Sequence, residues 1–200
     1  MKKNFLASLI AAIFDSPVVS RGVKTRDSAM AFAYRMGAGY AGDVNRTHPV
    51  SIEPNLIDED DGIGATFGLP VVVTATGSVR HLKASDSSLT TVWGVTVRPY
   101  PTQQASGGMS SSFGAAVPPT SGPCDVMRAG YMTVNLPAGT GAAKKGGAVF
   151  VWIAASSGNH VQGGFEDAAD GGNTIALDTK VYQFNNTPDY DGNVEISVNV

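Results

Sequence analysis

The stretch Val194–Val200 constrains this chain most: Val194, Ile196, Val198 and Val200 alternate with Glu195, Ser197 and Asn199. A two-residue period places the branched residues on one face of a strand and the polar ones on the other, an arrangement that no helix reproduces. The same pattern recurs upstream. Within Cys124–Leu136, Met132, Val134 and Leu136 alternate with Tyr131, Thr133 and Asn135. Within Val92–Pro99, Trp93, Val95 and Val97 share a face opposite Thr96 and Arg98, Trp93 is expected in the core, and Pro99 and Pro101 stop the ladder. Ala148–Ile153 is apolar on both faces, as in a strand covered on two sides. Shorter runs stand at Val50–Ile57, Val71–Thr74, Val79–Leu82, Gly163–Asp167, Thr174–Leu177 and Lys180–Phe184. That makes about nine or ten strands at the spacing of sandwiches and barrels, with no convincing helix after residue 60. The expected class is all-β.

A chain of 200 residues suits one domain, or one domain with an arm. The expected division is an N-terminal arm over residues 1–35 and a β domain over 36–200 with a long loop at 105–123. Phe5, Leu6, Leu9, Ile10 and Ile13 share one helical face. The run is too short to span a membrane, so an amphipathic arm is expected, with no cleaved signal peptide. It docks on this domain or on another subunit. Arg21–Arg35 fits either a strand or a helix. The 105–123 segment is rich in Gly, Ser and Pro, and Met109, Phe113 and Val117 are its apolar anchors, read as contacts to a neighbouring chain.

The segment Met36–Asp58 is shaped but chemically quiet. Gly37, Gly39 and Gly42 open backbone conformations, while His48-Pro49 and Glu53-Pro54 extend the residues before each proline. No nucleophile stands beside a base there. Elsewhere His48, His81 and His160 lie in separate segments without ligand spacing. Cys124 is the only cysteine, which excludes an internal disulfide, and it is read as a small apolar residue at a strand start. Asp167–Asn173 and Asp189–Asn193 lack the closing Glu of a calcium loop and are read as turns. The acids at 58–61 are adjacent and read as solvated. The Pro137–Gly147 loop lacks phosphate-loop spacing and precedes a strand. No cofactor, metal or enzymatic activity is expected.

Charged residues make up 16% of the chain, against roughly 25% in ordinary soluble domains. Such a surface suits partial cover by partners. Lys and Arg predominate before residue 50 and Asp and Glu after residue 160. This asymmetry suits complementary subunit contacts or is ordinary solvated charge. The basic residues are too sparse, and too little interleaved with aromatics, for direct nucleic-acid binding.

The order Ala41-Gly42-Asp43-Val44-Asn45-Arg46 with Ile52-Glu53-Pro54, then Gly94–Pro101 (GVTVRPYP), and later GYMTV, GGAVFVW and DGNVEISVNV, resembles the structural cement proteins of tailed-phage capsids. The likeness covers most of residues 32–200. It implies a jelly-roll-like β-sandwich or barrel that forms a homodimer on the outer surface of the capsid. There it would bridge subunits of the major capsid protein, without catalysis, after synthesis in the host cytoplasm and with no membrane role. Candidate interface residues are Phe5, Leu9, Ile13, Asp43, Arg46, His48, Arg98, Met109 and Phe113. A carbohydrate-binding or adhesin-like module is the alternative, and would display Trp152, Tyr100 or Tyr190 as stacking platforms. Another virion subunit, such as one of the tail, would differ only in location.

Overall fold

The computed structural model describes residues 39–58, 66–89, 91–98, 121–136, 139 and 141–200. The expected arm, with Phe5, Leu9 and Ile13, and the part of the long loop that carries Met109 and Phe113 lie outside the described residues. The strands are β1 (Ser51–Asp58), β2 (Pro70–Val73), β3 (Val79–His81), β4 (Gly94–Thr96), β5 (Ser121–Asn135), β6 (Phe150–Trp152), β7 (Phe165–Glu166), β8 (Thr174–Ala176), β9 (Tyr182–Phe184) and β10 (Asn193–Val198). The expected all-β class is what the chain forms.

Five strands close on themselves in the order β1-β3-β2-β4-β5, with β5 returning to β1. The closing pair is antiparallel along the whole of β1, from Ser51 opposite Ala129 to Asp58 opposite Ser121. The register slips between Ser51 and Ile52, so Arg128 is an extra residue in β5. Such a bulge bends and twists the strand that carries it. Beyond the bulge β5 pairs with β10 from Gly130 to Asn135, and β10 pairs with β9. A separate three-stranded sheet has the order β7-β6-β8.

Two cores follow from the two-residue period. Ile57, Val71, Val79 and Val126 fill the barrel, with the half-buried Cys124 packed against them. Neighbours in sequence point the other way: Val72 and Met127 join a much larger core. That core holds Met132, Val134 and Leu136 of the β5 segment and Val194, Ile196 and Val198 of β10, together with Val151, Phe165 and Ile175 of the three-stranded sheet. The Val194–Val198 alternation therefore marks a strand with one face in this core and Glu195 and Ser197 on the other.

Trp93 corrects the expectation that it is core: its side chain is 39% exposed. Regular pairing starts only at Gly94, where an added Cβ would stand 2.5 Å from the Met127 carbonyl oxygen. Trp93 precedes that close approach, so the alternation that buries Val95 and Val97 does not extend back to it. Its backbone N–H donates to the Val71 carbonyl at 2.8 Å, and the Arg128 guanidinium lies 3.4 Å from its ring centroid.

The turn after β3 is fastened by a two-pronged ion pair. Arg80 Nη1 and Nη2 donate to Asp86 Oδ2 and Oδ1 at 2.7 and 2.8 Å, and the Lys83 N–H donates to Oδ2 at 2.9 Å. Burial opposes ionisation of Asp86, but the Arg80 and Lys83 hydrogen bonds outweigh it and hold the carboxyl below its ordinary 3.8. A depressed carboxyl contributes stability that is present above its unfolded value and lost as pH falls through the folded one. Asp86→Asn is expected to lower unfolding free energy at pH 7 by about 1.5–3 kcal/mol. Urea titrations should show the gap to wild type narrowing once the pH is below about 3.8.

Candidate interaction surface

The segment 39–50 is fixed by its backbone. Gly42 N–H donates to the Thr133 carbonyl, Thr133 N–H to the Asp43 carbonyl and Asn45 N–H to the Tyr131 carbonyl, each at 2.9 Å. With Val44 bridged to Met132, this segment runs along the C-terminal half of β5 and leads into β1. On its other side the Gly42 carbonyl accepts from Arg98 N–H at 2.9 Å. Gly42 has φ of +91°, and a Cβ there would stand 2.7 Å from Phe67 Cβ and 2.9 Å from Arg98 N. Only glycine satisfies both the left-handed backbone and the close approach.

The side chains on this frame form two clusters. In the first, Asp43 Oδ2 accepts from Tyr40 N–H at 2.8 Å, and Asp43 Oδ1 lies 3.9 Å from Arg98 Nε. Arg98 Nε donates to the Ala41 carbonyl at 3.2 Å, and its guanidinium stands 5.2 Å from the Tyr40 ring centroid. In the second, Arg46 pairs with Glu195 through both carboxylate oxygens and lies 3.8 Å over the Tyr131 ring. The hydrogen bond to Glu195 holds the Arg46 guanidinium above its ordinary pKa. Asn45 Nδ2 donates to the same Glu195, and Thr133 Oγ1 donates to Asn45 Oδ1.

Of the sequence candidates, Asp43 and Arg98 are brought together, and Arg46 stands at the start of the exposed turn that carries His48. His48 precedes a cis peptide to Pro49. Asp43, Arg46 and Arg98 each have a partner within this chain, so their first role is to hold the surface in shape. Sequence reasoning missed Tyr40, which is 65% exposed, as well as Tyr131 and Glu195. Alternation marked Glu195 as outward-facing, but nothing in sequence tied it to Arg46, 149 positions away.

Other reactive groups are structural. Burial pushes the Cys124 thiol up to about 11, away from thiolate reactivity. Burial also raises Glu166, against the pull of His160, whose Nδ1 lies 3.0 Å from Glu166 Oε1. His160 stacks on the buried Trp152 with ring centroids 4.0 Å apart, which removes Trp152 as an exposed platform. Asp167 Oδ2 accepts from Ala142 and Ala143 N–H, pinning the glycine-rich loop. Among the described residues no three His, Cys, Asp or Glu side chains are placed to hold a metal ion, and no helix is long and apolar enough to cross a membrane.

The described residues thus form a closed barrel joined to a sandwich, with a surface fixed by main-chain hydrogen bonds. The XM1 gp53 minor capsid protein family model matches residues 30–198, and the chain belongs to that family. A solved chain from "The capsid of Myoviridae Phage XM1" has a similar fold, with a TM-score of 0.58 at 20% identity over 83% of this chain and 93% of that one. Curated proteins yielded no match. The protein is thus a structural component of a phage virion, associated with other capsid proteins.

The two clusters separate backbone shape from side-chain contact. Gly42→Ala is expected to lower unfolding free energy by about 2–4 kcal/mol, from strain and overlap together. Arg46→Ala removes a solvent-exposed ion pair and should lower it by about 1 kcal/mol or less. Denaturant titration of the two variants checks this order.

Proposed function

We propose that this protein is a cement, or decoration, protein that binds the outside of the phage head and bridges major capsid subunits as a homodimer. The observation that carries the reading is the 39–50 segment. Its backbone is hydrogen-bonded to β5 on one side and to Arg98 on the other, while Tyr40, Arg46 and His48 remain exposed. A fixed frame that presents aromatic and cationic side chains binds a partner with little ordering entropy to lose. Family membership supplies the capsid setting, and a charged content of 16% suits a surface partly covered in the assembly.

In this reading residues 1–35, with Phe5, Leu9 and Ile13, and the 105–123 segment, with Met109 and Phe113, add contacts to neighbouring subunits. Catalysis has no part in it. Each contact can be weak, because a symmetric shell repeats it many times and linked contacts reinforce one another. Purified protein added to shells that lack it should bind and raise the temperature at which the shells melt in calorimetry. Absence of binding together with an unshifted melt would remove the reading. Tyr40→Ala and Arg46→Ala should each weaken attachment several-fold, with the melting temperature of the free protein within a few degrees of wild type.

A further inference from the structure

β1 carries its polarity the wrong way round for a strand facing water. Between Ile52 and Asp58 its register with β5 is unbroken, so Glu53, Asn55 and Ile57 turn to the barrel side and Ile52, Pro54, Leu56 and Asp58 turn outward. Ile57 is 1% exposed inside the barrel, whereas Ile52 is 44% and Leu56 61% exposed. The outward face continues onto β5, where Pro123 stands opposite Leu56 and Asp125 opposite Pro54, both exposed. Apolar residues grouped on an outer face, rimmed by charge, mark interaction sites.

We infer that this outward face of β1 and β5, centred on Leu56 with Ile52, Pro54 and Pro123, docks onto another capsid protein that offers an apolar contact flanked by Lys or Arg. Two features select that occupant. Among the described residues the exposed charges of the face, Asp58 and Asp125, are both acidic. A second copy of the same face offers no basic group to complement them, while a basic-flanked partner does. Strand addition is also disfavoured. The Asp125 carbonyl accepts from Val97 N–H on the β4 side, so Pro54 opposite it turns its backbone away from β5. On that side β1 pairs with β3 at Ile57 and Val79, and Pro54 beyond that pair has no N–H, which blunts the strand against further pairing. The partner meets side chains, face on. The inference rests on the capsid-binding reading above and adds the surface and the chemistry of its partner.

The test measures binding of full-length protein to shells that lack it, alongside sedimentation velocity and thermal melting of the free protein. Wild type should bind. Leu56→Arg should bind at least tenfold more weakly with unchanged melting temperature and sedimentation. Asp58→Lys combined with Asp125→Lys should also weaken binding and reverse its dependence on salt. Should Leu56→Arg fail to fold, Leu56→Ser makes the same comparison. Wild-type binding with undiminished binding by the Leu56 variant overturns the inference and leaves the cement reading standing. A Leu56 variant that changes the oligomeric mass of the free protein assigns the face to a second copy and overturns it too. Failure of wild type to bind removes the cement reading itself.

Discussion

The structure depends on one shared strand. β5 runs for fifteen residues and serves two sheets in succession: its first half closes the barrel against β1, and its second half carries β10 and through it β9. The bulge at Arg128 marks the handover. On the near side of it, Val126 points into the small barrel core and Met127 into the large one; on the far side, Met132 and Val134 continue the large core. Removing a residue at the bulge would flip every later side chain to the opposite face, because strand side chains alternate. The extra residue is itself put to use, since Arg128 covers Trp93 and reaches Glu53 of β1 at 3.5 Å.

The surface inherits its shape from that strand. Segment 39–50 lies along the far half of β5, and the exposed face of β1 lies along the near half. Both are positioned by main-chain hydrogen bonds, which leaves their outward side chains open to contacts. The chain spends its reactive groups on fastening loops: Asp86 on the turn after β3, Asp167 on the glycine-rich loop, and Glu166 with His160 beside Trp152. A virion protein of this kind gains from stiffness, since any ordering needed on assembly would weaken each repeated contact.

Much of the fold was legible because burial imposes period two. Val194–Val200 and Cys124–Leu136 declared their inward faces in sequence, and the structure buries Val194, Ile196 and Val198 with Met132, Val134 and Leu136, whereas Val200, past the end of β10, is 51% exposed. The ends of strands were less legible: β5 begins at Ser121, inside what composition marked as loop, since Gly122 and Pro123 pair with Ile57 and Leu56 despite their poor strand propensity. Trp93 was misassigned because alternation was extended past the first true ladder pair. Barrel closure was not legible at all, for the β1–β5 pairing joins segments about seventy residues apart with no local signal. The surface was half legible. Glycines and prolines announced that residues 36–58 have a specified shape, but the partners that specify it, Thr133, Tyr131, Phe67 and Glu195, lie far along the chain.

Native-state hydrogen exchange on the free protein tests the central role of β5 most directly. If one strand ties barrel to sandwich, amides on both sides of the bulge, such as Val126 and Met132, exchange through the same global opening. β2 of the barrel and β10 of the sandwich then lose protection at the same denaturant concentration. Barrel amides that open at a clearly lower free energy than those of β10, or the reverse, would show two independent halves and contradict the account.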